Sequence, residues 1–331
     1  MRKITTEVQS WPVAGSFRIA RSQLTAIEVV KVTISEEELT GVGECRPYPR
    51  YDETPAFVSA QIEAVRTQIE GGVSINGLQS LMPAGAARNA VDCALWDLKA
   101  KQKEKSVAAL LGLPQPKPLR TAFTLSVDTP ANMAKAAQAA SDYTLLKMKI
   151  KDLSGIEAAR AVLQVRPNAE LIIDANEALA PKDLPAFQRA LENLPVVMIE
   201  QPVAAAVTGK APINPSVLPI VCADESLHTQ ADLKKLWDLG YRAVNIKLDK
   251  CGGLTEGLSL MRAAKDMGFI IMAGCMVGTS LAMAPMLHLA FMADVVDLDG
   301  PALLASDCNN GLRYENGRVS PPAPRLWGGA A

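Results

Sequence analysis

Short apolar runs separated by longer amphipathic stretches set the texture of the chain from Leu119 onward. Residues 121–127, 145–150, 171–173, 196–199, 218–222, 243–246, 269–272 and 295–296 each read as a buried strand, repeating about every 25 residues. Eight such runs with helical stretches between them predict a β/α barrel. Upstream the pattern changes. Residues 25–34 are rich in β-branched side chains and, with Gly41 to Cys45 after them, predict antiparallel strands. Helical periodicity covers 55–70 and 86–103, the latter with Ala90, Val91, Ala94, Leu95 and Leu98 on one face. The proline-rich stretch 113–118 reads as a boundary. The expected division is an α+β unit over 1–116, a barrel over 117–306 and a tail over 307–331 that returns to pack on the first unit. Residues 204–216 read as a poorly ordered insertion after the fourth strand.

Polar residues interrupt this pattern at particular places. Lys147 and Lys149 share one face of an extended strand, opposite Leu146, Met148 and Ile150. Repulsion between two ammonium groups, or their burial, lowers a lysine pKa and prepares a proton acceptor near neutral pH. An edge strand showing two lysines to water has the same pattern. In a β/α barrel the site lies at the carboxyl ends of the strands. The polar residues there are Lys149, Asp174, Glu200, Asp224 and Lys247, separated by steps of 25, 26, 24 and 23 residues. Three neighbouring strands thus aim one carboxylate each at a common centre, with lysines on opposite sides of the ring. Any one acid alone suits a helix N-cap. Three in register, bracketed by lysines, call for a hard divalent cation, and Mg²⁺ suits such oxygen ligands. The eighth run closes with Asp297 and Asp299, read as sharing a strand face and so able to meet one cation, such as the free ammonium of a dipeptide. A loop-capping acid pair is the other use of that pattern.

Composition narrows the classes. The chain has 331 residues, 49% apolar and 21% charged, with a formal net charge of −1. That balance, without any basic run, excludes broad attraction to nucleic acid or an anionic membrane. No apolar stretch is long enough to span a bilayer and the start carries no signal-peptide core, so the expected location is cytoplasmic. Six cysteines without a Cys-x-x-Cys pair and only two histidines supply a zinc site poorly; Cys93 and Cys222 read as core packing in a reduced compartment. The glycine pair at 252–253 reads as a tight turn rather than a phosphate loop. Homo-oligomerisation is left open.

Lys147-x-Lys149, Asp174-x-Asn176, Glu200-Gln-Pro, Asp224-Glu-Ser and Lys247 resemble the muconate lactonizing enzyme subgroup of the enolase superfamily, over nearly the whole chain. The resemblance implies an α/β fold, a modified TIM barrel (β/α)7β with an N-terminal α+β capping domain that the C-terminal segment completes. It makes Lys149 and Lys247 the acid/base pair, Lys147 an auxiliary cation, and Asp174, Glu200 and Asp224 the Mg²⁺ ligands. Removing a proton α to a carboxylate places a second negative charge on its oxygens, and nearby positive charge stabilises it. One lysine on each face of the planar intermediate gives inversion. The Asp297-x-Asp299 pattern further resembles the dipeptide epimerases, most closely the L-Ala-D/L-Glu group, supported by Phe17-x-Ile-Ala-Arg21, the run from Gly43 to Tyr51, Pro83 to Ala90, Val244 to Glu256 and Gly274-Cys-Met276. This implies epimerisation at the C-terminal residue of L-Ala-D-Glu or L-Ala-L-Glu, as in salvage of murein peptides. Arg21 matches the family's lid arginine for the substrate side-chain carboxylate, with Arg18 and Arg50 as neighbouring candidates; Thr124 and Met276 complete the expected substrate-binding set. Departures at 204–216 and at Val277-Gly278 bear on substrate range. The competing readings are another dipeptide specificity, a cycloisomerase or o-succinylbenzoate synthase reaction, a Schiff-base lyase, and a barrel that binds peptide without turnover.

Overall fold

The structure is a computed structural model describing residues 1–19, 22–206 and 213–329. Three strands, Arg2–Ile19, Ser22–Glu36 and Leu39–Cys45, form an antiparallel sheet in that order. The first of these was not expected: Pro12 and Gly15 break its alternation, and its register with the second strand shifts between Pro12 and Phe17. One face of the sheet, with Ile4, Val30, Val32 and Ile34, packs on the helix Ala86–Gln102. That helix is buried almost all round, because its other side faces the barrel. Arg88 donates to the carbonyls of Cys251 and Gly252 at 2.7 and 3.1 Å, and Asp92 accepts from the Thr255 backbone and hydroxyl at 3.0 and 2.6 Å. Gly252 and Gly253 have φ of +86° and +113°, and a Cβ on either would come within 2.5 Å of Arg88 or 2.6 Å of Asp92. The glycine pair is a turn that lets this helix dock.

Eight parallel strands follow in sequence order: Phe123–Leu125, Leu145–Lys149, Glu170–Asp174, Val196–Glu200, Ile220–Ala223, Ala243–Ile246, Ile270–Gly274 and Val295–Asp297. Ala122 N–H donates to Val296 O at 2.8 Å, joining the last strand to the first, and helices separate successive strands except the fourth and fifth, between which the described residues form none. The fold is the modified TIM barrel with its N-terminal antiparallel sheet unit. Strand alternation fixes what fills it. Leu145, Ile172, Met198, Cys222, Ala243 and Met272 point inward as an apolar floor, while Leu146, Met148 and Ile173 point outward under the helices.

The last residues run back across both units. Arg318–Val319 pairs with Leu119–Arg120, and Trp327 Nε1–H donates to Val42 O and Cys93 O at 3.0 and 3.2 Å. All six cysteines are free, with Cys93 and Cys222 buried. No helix among the described residues is long and apolar enough to cross a membrane.

Candidate active site

The side chain two residues beyond each apolar floor residue points the same way, so one layer higher the barrel interior turns polar. Leu145 is followed by Lys147 and Lys149, Ile172 by Asp174, Met198 by Glu200, and Cys222 by Asp224. Ala243 is followed by Asn245 and Lys247, and Val295 by Asp297. Register sets Lys149 beside Asp174 and Asp174 beside Glu200 on adjacent strands. All of these side chains are buried. They line or underlie one cavity at the carboxyl ends of the strands, with Thr124, Asp299 and Met276 also on its wall. Arg21 lies outside the described residues.

Lys149 Nζ donates to Asp174 Oδ2 at 2.6 Å, and Lys247 Nζ to Asp224 Oδ2 at 2.7 Å. These two amines stand at the ends of the second and sixth strands of eight, Lys247 just past its strand, against different acids of one cavity. Lys147 Nζ lies 2.7 Å from Asp297 Oδ2, 2.8 Å from Glu200 Oε2 and 3.1 Å from Asp174 Oδ2. Lys250, from the one-turn helix Leu248–Cys251, donates to Asp224 through both Oδ1 and the backbone carbonyl, and to Asn245 O at 3.1 Å.

These acids correct the expected lysine chemistry. Burial does oppose the charge on Lys147, but Asp297, Glu200 and Asp174 outweigh it and hold its pKa well above the ordinary lysine value. Burial opposes the charge on Lys247 as well; Asp224 nonetheless raises it. Repulsion within the pair 147/149 is thus overruled by acids from neighbouring strands. The carboxylates respond in opposite directions. Against burial, Lys149 and Lys147 hold Asp174 below the usual range, and Lys247 and Lys250 do the same for Asp224. Burial and the charge of Asp174 push Glu200 up to about 8.

Among the described residues no three His, Cys, Asp or Glu side chains are disposed to hold a metal ion; the Lys147 ammonium bridges Asp174 and Glu200 instead, and that of Lys247 pairs with Asp224. The donor chemistry nevertheless fits a hard cation. Five buried carboxylates (Asp174, Glu200, Asp224, Asp297, Asp299) meet only four buried lysines (147, 149, 247, 250). Glu200 Oε2 is buried and receives no hydrogen bond, although Lys147 Nζ is within ion-pair distance. A divalent ion would supply the missing charge and the missing partner.

Asp297 and Asp299 do not share a strand. The eighth strand ends at Asp297, and Asp299 starts a short 3-10 turn with φ −92°. Both still line the cavity, because Thr124 N–H donates to Asp299 Oδ2 at 2.6 Å and draws it inward. Burial and the charge of Asp297 push Asp299 up to about 7.

Several positioning residues escaped the sequence pattern. Asn245 Nδ2–H donates to Glu200 Oε1 at 2.7 Å, in space left by Gly274, where a Cβ would fall 2.1 Å from Asn245 Oδ1. Gln201, in the left-handed region at φ 34°, accepts from the Asp224 and Ser226 backbones at 2.9 and 3.1 Å, fixing one acid-bearing strand end to the next. The strand-end alternation 243/245/247 and the Glu-Gln-Pro turn were the available signals. From the capping unit, Arg46, Tyr48 and Tyr51 form part of the cavity wall.

Two family models match the chain: "Mandelate racemase / muconate lactonizing enzyme, N-terminal domain" over residues 1–112 and "Enolase C-terminal domain-like" over residues 131–325. The chain belongs to the mandelate racemase/muconate lactonizing enzyme family of the enolase superfamily. Its relatives include an L-Ala-D/L-Glu epimerase of Escherichia coli (strain K12), 42% identical over 322 residues that cover 96% of this chain and 99% of that protein. An N-acetyl-D-glutamate racemase of Pseudoalteromonas sp. is 43% identical over 304 residues, covering 91% and 96%. Among solved structures, an enolase family member from Agrobacterium tumefaciens with homology to dipeptide epimerases, with bound sodium and L-Ala-L-Glu, superposes with a TM-score of 0.92 at 42% identity, covering 99% of this chain and 100% of that one. The chain is therefore an isomerase, and it falls among the dipeptide epimerases.

Proposed function

We propose that this enzyme epimerises the C-terminal residue of an acidic dipeptide, interconverting L-Ala-D-Glu and L-Ala-L-Glu, with Mg²⁺, in cytoplasmic salvage of murein peptides. The observation that carries the proposal is the placement of Lys149 and Lys247 at the ends of the second and sixth strands, each against its own acid across one cavity. Asp174, Glu200 and Asp224 would hold Mg²⁺, which when bound neutralises those acids, weakens their hold on the lysine protons and stabilises negative charge on the substrate carboxylate.

The chain's own residues do the rest. One lysine, as the neutral amine, takes the Cα proton: the C–H bond breaks and an N–H bond forms. The other, as ammonium, gives a proton to the opposite face, breaking N–H and forming C–H with inverted configuration. A proton passed through solvent then resets the pair. Lys147, fixed by Asp297, Glu200 and Asp174, keeps positive charge at the carboxylate end. Asp297 and Asp299 receive the dipeptide's ammonium, with Thr124 holding Asp299 in place. Met276 forms apolar wall, and Arg21 is assigned to the side-chain carboxylate.

In D₂O with Mg²⁺, either epimer should yield product deuterated at Cα; unlabelled product rules the mechanism out. A second reading, racemisation of an N-acylated glutamate, is favoured by the Pseudoalteromonas relative. Such a substrate has no ammonium, so Asp299→Asn, at an acid that pairs with Thr124 N–H and not with Lys147, would leave its turnover intact while crippling that of the dipeptide.

A further inference from the structure

Two arginines of the capping unit meet acids of the barrel. Arg18 lies 3.7 Å from Asp128. Arg50 makes a two-pronged pair with Glu177, its Nε–H and Nη2–H each donating to one carboxylate oxygen at 2.9 Å. Arg50 belongs to the capping segment 46–53, whose Tyr48 and Tyr51 wall the cavity. Barrel residues hold that segment near both ends. Arg46 N–H donates to Asp249 Oδ1 at 3.0 Å, two residues past Lys247. The Tyr51 ring stands edge-on to His228, four residues past Asp224, with ring centres 4.7 Å apart. Glu53 ties the segment to the helix Ala86–Gln102, accepting from Tyr48 N–H at 3.2 Å and Ala86 N–H at 2.8 Å.

Glu177 is the fixed half of its pair. It follows Asp174 by three residues, in a turn where Asn176 and Glu177 are both left-handed, at φ 41° and 70°. Residues other than glycine hold that conformation only where surrounding contacts over-determine it, and such turns cluster at functional sites. This one faces Asn176 to the cavity, where its Nδ2–H donates to Glu225 Oε1 at 3.2 Å, and sends Glu177 to the capping unit. Glu177 N–H donates to Gln201 O at 2.8 Å, and its Oε1 also accepts from Ala205 N–H at 2.8 Å. The Glu177 side chain is 7% exposed and that of Arg50 38%. The guanidinium thus reaches a seated carboxylate from the water side. The bond between Arg46 and Asp249 is buried, so of these two polar ties the Arg50 pair is the one that solvent can replace.

We propose that the Arg50–Glu177 pair is a latch: closed, it seats Tyr48 and Tyr51 over the cavity and keeps water from the amines of Lys149 and Lys247; parted, it admits substrate and solvent. This rests on the epimerase reading above. Arg50 and Glu177 are positioning residues, and neither lines the cavity. While the latch is closed, a hydrogen taken from Cα stays on its lysine long enough to be put back on the carbon it left. Once the latch parts, that N–H exchanges its hydrogen with water. Two parallel N–H···O bonds give the pair a defined closed geometry, which a single-donor or neutral side chain reproduces poorly.

The test uses L-Ala-L-Glu deuterated at Cα of its glutamate, in H₂O with Mg²⁺. It reads the deuterium lost from recovered substrate per product formed, for the wild type, Arg50→Gln, Arg50→Lys, Glu177→Gln and the double glutamine variant. A loss of folded enzyme lowers both quantities together and leaves their ratio alone. Arg50→Gln and Glu177→Gln should each raise the ratio about 3- to 10-fold. The double variant should be no worse than either single one, because both break the same contact, and Arg50→Lys should fall between wild type and Arg50→Gln. A ratio unchanged in either single variant, effects that multiply in the double, or wild-type substrate that loses deuterium as readily as the variants' overturns the latch. If one glutamine variant is too unstable to assay, the other decides by the same ratio. Wild-type enzyme that converts no dipeptide sinks the proposed function and the latch together; normal epimerisation with a ratio indifferent to the variants sinks the latch alone.

Discussion

The second and sixth barrel strands end in the same arrangement reached by different local structures. In each, two lysines converge on one aspartate: Lys147 and Lys149 on Asp174, Lys247 and Lys250 on Asp224. On the second strand the lysines are two apart, and the pleat alone puts them on one face. On the sixth they are three apart, and a single helical turn brings Lys250 beneath Lys247. The partners differ too. Lys147 bridges three acids, whereas Lys250, 1% exposed, is saturated by Asp224 and two backbone carbonyls. Charge type and proximity therefore do not assign function. In each pair the lysine with one acid partner, Lys149 or Lys247, is free to exchange that partner for a substrate, and its neighbour holds the acid still.

The comparison breaks first at the two proposed bases. Lys149→Ala and Lys247→Ala should each reduce epimerisation by about 10³-fold or more, yet each should still exchange the α-proton of one epimer, and not the same one. Loss of exchange on the same epimer in both variants would end the assignment of opposite faces. Stripping divalent cations with EDTA should likewise stop turnover, with Mg²⁺ restoring it and raising the melting temperature by mass action.

Lys250→Met should act on folding rather than chemistry. Leaving Asp224 buried with one partner fewer should cost about 3–5 kcal/mol in denaturant unfolding. A variant as stable as wild type but inactive would move Lys250 into the reaction.

The smallest effect sharpens the contrast by taking an acid with no lysine. Glu44 accepts from the Thr279 backbone and hydroxyl, and burial pushes it up to about 7. Its folded value exceeds the ordinary 4.5, so its contribution is complete below that value and is lost as pH rises through 7. The loss is at most about 3 kcal/mol. Asp224, held low, behaves oppositely: its contribution is present at neutral pH and lost on acidification. Glu44→Gln should flatten the fall in melting temperature between pH 5 and 7.5 to the extent of that contribution.

The eight strands were legible because a parallel strand covered on both faces must be apolar throughout, and the three acids because each follows such a run at a step of 24 to 26 residues. What escaped depends on distance in sequence. Burial lowers the pKa of Lys147, but Asp297 and Glu200, residues 150 and 53 positions away, outweigh it, so for Lys147 the local reading gave the wrong sign. Asp299 was placed by strand alternation beyond the end of its strand, and only the Thr124 N–H returns it to the cavity. The Arg46 loop could be seen as cationic, but not which of its arginines faces inward.

The apolar floor has a kinetic consequence. Hydrocarbon neither donates nor accepts, so a hydrogen lifted onto Lys149 or Lys247 cannot leave downward through Leu145, Ile172 and Met198. Its exit to bulk water runs upward, past the wall of Arg46, Tyr48 and Tyr51. How wet that ceiling is while substrate is bound will decide whether the enzyme hands back the atom it took or washes it out.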